Sequence, residues 1–236
     1  MNEIVERIRT ELLNNADDAV RKSAQRFFKE RVAVYGVKTA TVGKVARRYW
    51  REVEGLKKEK VFDLCEELLR TDYCEDAFVV ADWVPRLADR FEPGDLPIFE
   101  GWIERYINNW AKCDSFCNHA MGDFVQMYPE CLPKIVGWTG SDNRWMRRAA
   151  AVSLIVPTKR GKFLPEVFKI ADRLLADEDD IVQKGYGWLL KEASRLHQKE
   201  VFDYVVKRRR NMPRTALRYA IELMPAELKA EAMKRE

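Results

Sequence analysis

Apolar residues in this chain recur at intervals of three and four almost from end to end, and that spacing constrains the fold more than any other feature. Ile4, Ile8 and Leu12 form one such stripe, Phe62, Cys65, Leu68 and Leu69 another, and Phe99, Trp102, Ile103, Tyr106 and Ile107 a third. Residues so spaced lie on one face of an α-helix, and each helix must then bury that face against a neighbour. The alternation of a half-buried strand is hard to find, and the Asn-Gly and Asp-Gly pairs that close tight hairpins are absent. With 236 residues, 47% of them hydrophobic, the chain is long enough to enclose a core made of helices alone.

Capping residues and prolines divide the pattern into helices expected near 2–14, 17–31, 41–54, 59–71, 74–90, 95–108, 110–127, 130–138, 142–155, 163–176, 180–196, 198–210, 212–223 and 225–234. So many helices joined by short connections become antiparallel neighbours. Pairs stacked at a period of about 35–45 residues make an α-solenoid of the HEAT or armadillo kind. The segments from Trp138 and from Leu175 both place polar or acidic residues before a helix that opens on an apolar residue and continues into a basic one. No linker rich in Gly, Ser or Pro interrupts the chain. The expectation is an all-α superhelix of HEAT-like antiparallel pairs, in a single domain spanning 1–236.

The net charge of +4 conceals a sorting by position. Residues 31–60 hold nine basic and three acidic side chains, residues 71–130 four basic and twelve acidic, and residues 207–218 six basic and none acidic. A further basic group comprises Arg144, Arg147, Arg148, Lys159, Arg160 and Lys162. Any one run is explained by a solvated helix face. In a solenoid, however, the same helix of each pair lines one surface, so runs recurring at the repeat spacing form a track suited to a phosphate backbone.

The amino terminus is charged from Glu3 onward, and the longest apolar run, Ala149–Val156, is far short of the ~20 residues a membrane span requires. Five cysteines (Cys65, Cys74, Cys113, Cys117, Cys131) form no regular disulfide framework. A soluble, cytoplasmic protein without membrane association is expected. Cys113, Cys117 and His119 lack the second ligand pair of a structural zinc site, so no metal is expected and buried thiols account for the spacing. Neither His119 nor His197 stands in a nucleophile setting, and Gly185-Tyr-Gly187 is not a phosphate loop. No cofactor is expected.

Trp110 and Asp114 stand i, i+4, which puts an indole and a carboxylate on one face of a helix. By itself the pair fits a core tryptophan and an acid near a helix start equally well. Its setting adds more. Asn109-Trp-Ala-Lys-Cys-Asp114, Ser141-Asp-Asn-Arg-Trp-Met-Arg-Arg-Ala-Ala150 and Gln183-Lys-Gly-Tyr-Gly-Trp-Leu-Leu-Lys-Glu192 occur in this order. Together they resemble the AlkD-like DNA alkylation repair family, alkylpurine DNA glycosylases built from HEAT-like repeats.

The resemblance implies a monofunctional glycosylase that excises cationic N3- or N7-alkylated purines, such as 3-methyladenine and 7-methylguanine, from duplex DNA in base excision repair. It implies that Trp110, Asp114 and Trp188 occupy the catalytic cleft, that Arg148 faces DNA with Arg147 and Lys184 beside it, and that Lys38 and Thr39 approach the strand from the early loop Tyr35-Gly-Val-Lys-Thr39. It also implies a grip on the backbone that leaves the base outside a tight pocket. Ala111 replaces an acid common after the tryptophan, and Ala40 and Gly43 replace the usual Pro and Arg after the threonine. The expected partner is double-stranded alkylated DNA, bound by a monomer. The competing reading is a HEAT-like scaffold that binds DNA or protein without chemistry.

Overall fold

The structure, a computed structural model, describes residues 2–234, and no strand occurs among them. The chain forms two compact units, one ending at Phe116 and the other starting at Cys117. The first contains α1 (Glu3–Asn14), α2 (Asp18–Gln25), α3 (Thr39–Val53), α4 (Lys58–Leu69), α5 (Cys74–Trp83), α6 (Leu96–Tyr106) and α7 (Trp110–Phe116). The second contains α8 (Gly122–Met127), α9 (Leu132–Gly137), α10 (Arg144–Val152), α11 (Ile155–Lys159), α12 (Leu164–Arg173), α13 (Asp180–Ala193), α14 (Gln198–Arg208), α15 (Arg214–Ala220) and α16 (Ala226–Ala232).

In the first unit α3, α5 and α7 pack one against the next, while α4 packs on α6. In the second, α10, α13 and α15 form the corresponding row, with α12 and α14 packed on α13 and α16 on α14. The row helices begin at Thr39, Cys74 and Trp110, then at Arg144, Asp180 and Arg214, so the chain returns to the same structural position about every 35 residues. This is the all-α, HEAT-like arrangement of helix pairs that the periodicity implies. No helix among the described residues is long and apolar enough to cross a membrane.

Large buried rings fix the stacking. Trp83, Trp102 and Phe99 are fully buried in the first unit, and the Trp83 indole donates from Nε1 to the carbonyl of Ala46 at 2.8 Å, tying α5 to α3. In the second unit α13 lies against α15 through Gly187, where a β-carbon would stand 2.8 Å from both the Ala216 carbonyl oxygen and the Tyr219 β-carbon. Only a glycine lets the two backbones approach so closely.

Several helices are shorter or more broken than their apolar pattern suggests. The helix expected over 17–31 ends at Gln25, because Phe28 turns aside to stack on Trp110 and residues 32–38 run as irregular chain. Pro85 leads the stretch after α5 into a 3-10 helix, Val84–Arg90. The helix expected over 110–127 contains a π-helical segment at Cys117–Met121. Residues 155–159 form a short separate helix beyond a break at Ser153-Leu154.

Candidate active site

The site residues of the first unit are arranged around the start of α7. Asn109 is buried and its side-chain oxygen accepts from the Lys112 backbone N–H at 3.0 Å, an N-cap that fixes Trp110 as the first helical residue. The helix buries Lys112, Cys113 and Phe116 and leaves Trp110, Ala111, Asp114 and Ser115 partly exposed on the other side. The indole and the carboxylate therefore share the accessible face that their spacing requires. Lys112 anchors the buried side by donating to the carbonyl and carboxylate of Asp72, at 2.8 and 2.6 Å.

Two contacts set the indole plane. Trp110 Nε1 donates to the Phe27 carbonyl at 3.2 Å, and the Phe28 ring stacks on the indole at 5.2 Å between centroids, 24° from parallel. Phe27 itself is 71% exposed. These rings and Phe78 line part of an open cavity of about 350 Å³ that also reaches Lys38 and Thr39.

Lys38 and Thr39 are exposed at the start of α3, and the loop before them is held from α5. The Glu75 carboxylate, only 4% exposed, accepts from the backbone N–H groups of Tyr35, Gly36 and Val37 at 3.0, 2.8 and 3.0 Å. Three successive N–H groups converge because Gly36 takes a φ of +94°, where a β-carbon would also lie 2.5 Å from the Asp17 carbonyl oxygen. The neighbouring Asp76 accepts from the hydroxyls of Tyr35 and Thr71 and lies near Arg9.

Burial pushes the Asp76 carboxyl up to about 6, against the opposing pull of those hydroxyls and of Arg9. The native carboxyl thus keeps its proton to higher pH than the unfolded one, whose ordinary value is 3.8. The folded state binds more protons between these values, so this group's contribution to stability falls as pH rises from about 4 through 6. Asp76→Asn is expected to gain stability relative to the parent over the same interval. Urea unfolding of both proteins at pH 4 and pH 7 checks this, and an unchanged difference between them at the two pH values contradicts it.

In the second unit the row helices carry the remaining candidates. Trp188 is partly exposed on α13 and shares an accessible stripe with Ile181, Lys184 and Lys191. Its Nε1 donates to Glu192 at 3.2 Å, one turn along the helix. Glu192 is buried, which raises its pKa, but hydrogen bonds from Arg195 and Trp188 outweigh that and hold the carboxyl below the usual range. Lys184 pairs with Asp180 at 3.0 Å.

The arginines of α10 are more committed than a phosphate track suggests. Arg148 is 5% exposed and donates to the Ile181 carbonyl at 2.6 Å, with its side chain against Gly185. Arg147 donates to Asp177 at 2.6 Å and to the carbonyls of Ser141 and Asp142 at 3.0 Å, and Arg144 pairs with Asp179. These bonds tie the start of α10 to the turn before α13, one repeat away. Cys113 and Cys117 are buried and His119 is exposed. No local pattern in the sequence marks Phe28 or Glu75; for Glu192 the i, i+4 spacing from Trp188 is the available signal.

Stacked helix pairs with these side chains on corresponding helices define an all-α, HEAT-like repeat protein. Residues 8–224 match the family described as DNA alkylation repair enzyme, and the chain belongs to that family. Three solved structures share the fold. A predicted DNA alkylation repair enzyme from Enterococcus faecalis superimposes with a TM-score of 0.80 at 18% identity, over 90% of this chain and 98% of its own. AlkD2 from Streptococcus mutans gives 0.60 at 19% identity, over 88% and 100%. The alkylpurine DNA glycosylase AlkC of Pseudomonas fluorescens, bound to DNA containing an abasic site analog, gives 0.55 at 17% identity, over 93% and 62%. No curated protein matches the chain.

Proposed function

We propose that this protein is a monofunctional DNA glycosylase that hydrolyses the N-glycosidic bond of N3- and N7-alkylated purines in duplex DNA. The observation that carries this reading is α7, which belongs to a DNA alkylation repair chain and holds Trp110 and Asp114 together on its accessible face while burying Lys112 and Cys113.

The residue types suit the chemistry. An alkylated purine of this kind carries a positive charge, so the bonding electron pair departs with a base that becomes neutral, and no strong general acid is required. Positive charge moves onto the deoxyribose in the transition state, as in glycoside hydrolysis, and a carboxylate at that point stabilises it. Asp114 takes this role and orients water toward the anomeric carbon. The water oxygen bonds to that carbon, and its proton passes by way of Asp114 to solvent. The products are the neutral base, an abasic site and one proton.

Trp110 offers an electron-rich face to the sugar cation, and Trp188 takes the second aromatic face by its match to the family's motif. Glu192 keeps the Trp188 indole in one orientation. Arg148, fixed by the Ile181 carbonyl, supplies a stationary positive charge for a phosphate, and Arg147 and Lys184 add to the local potential. Lys38 and Thr39 meet the backbone from the loop that Glu75 organises. A monomer acting in the cytoplasm suffices for this chemistry.

The test is release of 7-methylguanine and 3-methyladenine from methylated duplex DNA, followed by chromatography. The reading requires free base and an alkali-labile abasic site. Binding to that DNA without release would make the protein a scaffold.

A further inference from the structure

Asp72, in the connection between α4 and α5, stands in the left-handed region with a φ of +68°. Such a conformation costs any residue with a β-carbon, although aspartate bears it better than most, and it persists where surrounding contacts hold it. Here the contacts come from either side of Trp110. Lys112 donates to the Asp72 carbonyl at 2.8 Å and to its carboxylate at 2.6 Å, and Asn108 donates to the same carboxylate oxygen at 2.6 Å. The two donors thus bracket Trp110 in the chain, one two residues before it and one two residues after.

Stability alone does not account for this arrangement. The Lys112 side chain is 1% exposed, and apolar side chains of similar volume often leave a protein as stable as a buried ion pair does. What the pair adds is direction. Apolar cores lose uniqueness before they lose stability, whereas hydrogen bonds hold at one register only. The requirement is acute for α7, whose seven residues are too few to form a stable helix unaided and whose first residue is Trp110. The Asn109 cap fixes where the helix begins; the bonds to Asp72 fix where that beginning lies against the connection before α5.

We propose that Asp72 and Lys112, assisted by Asn108, are positioning residues of the candidate active site, holding the first turn of α7 where Trp110 and Asp114 can act. The proposal rests on the glycosylase reading. The effect passes through Trp110 and Asp114, and a displacement of about 1 Å in such groups is enough to slow a reaction by about 10²-fold. The pair is best taken apart from the lysine side. The Asp72 side chain is 56% exposed, so its carboxylate stays hydrated without Lys112, whereas removing the carboxylate would strand a buried ammonium.

The experiment therefore uses Lys112→Met in the full chain, which keeps the apolar stem and removes the ammonium. The variant should keep the parental urea midpoint and the parental affinity for a duplex carrying one 7-methylguanine, and should release the base about ten- to a hundredfold more slowly in a single turnover. Asn108→Ala removes the other arm from an exposed position and should slow release by a smaller factor; it decides the matter should Lys112→Met fail to fold. A readout independent of activity comes from 5-fluorotryptophan incorporated throughout the chain, the Trp110 resonance being identified by its loss in Trp110→Phe. That resonance should be one sharp line in the parent and should shift and broaden in Lys112→Met.

A parental rate in both variants, or a Trp110 resonance unchanged by them, overturns the proposal. So does a Lys112→Met protein whose lost rate comes with lost urea stability and lost affinity for the duplex, because the pair then supports the fold and nothing more. If the parent releases base and the variants match it, the positioning role fails and the glycosylase reading stands. If the parent releases no base, the glycosylase reading fails, and the Trp110 resonance alone decides whether the pair sets the indole.

Discussion

Asp114→Asn is expected to lower release of 7-methylguanine and 3-methyladenine from methylated duplex DNA by at least about 10²–10³-fold, the scale on which removing one preorganised electrostatic group acts. The substitution preserves shape and removes one negative charge at the point where the sugar becomes cationic. Because the carboxylate is partly exposed on α7, whose packing rests on Lys112, Cys113 and Phe116, the variant should fold and bind DNA as the parent does. Single-turnover rates with a duplex carrying one 7-methylguanine, beside equilibrium binding to the same duplex, separate the two quantities. A variant that binds and still releases base at the parental rate would remove Asp114 from the chemistry. A variant that has lost binding would instead give the carboxylate a structural role.

The periodicity of apolar residues carried the fold, since the period of 3.6 is a local property that tertiary packing has no reason to override. The helix ends were less legible. α2 stops at Gln25 because Phe28 has a partner, Trp110, 82 positions away in the chain, and no local pattern announces that pairing. The i, i+4 spacing of Trp110 and Asp114 was readable for the same local reason as the helices, and α7 keeps both on one accessible face.

Charge was the least legible feature. Arg144 and Arg147 read as donors for phosphate, yet their partners Asp179 and Asp177 lie one repeat along, where stacking brings them together. Arg148 is buried for a related reason: Gly185 leaves room for its side chain against α13. A count of basic residues cannot tell a charge bound into a repeat junction from one presented to solvent. That distinction depends on the register of the stack.

The early loop provides the second large effect. Glu75→Ala is expected to destabilise the first unit by about 3–5 kcal/mol, because it removes the acceptor of three buried backbone N–H groups. Bonds to a charged acceptor contribute about 1.5–3 kcal/mol each, but three on one carboxylate are not additive, which sets the estimate below their sum. No other side chain is shown accepting from these groups, and Tyr35 and Val37 are both buried, so water cannot readily replace the carboxylate. Glu75→Gln should lose less: its amide oxygen can serve Gly36 and Val37, while its NH₂ group confronts the N–H of Tyr35. Urea unfolding followed by circular dichroism measures both variants. In any Glu75→Ala protein still folded, Lys38 and Thr39 lose their fixed approach, so affinity for duplex DNA should fall where Asp114→Asn leaves it unchanged. Parental stability in Glu75→Ala would show that the loop is held by its other contacts.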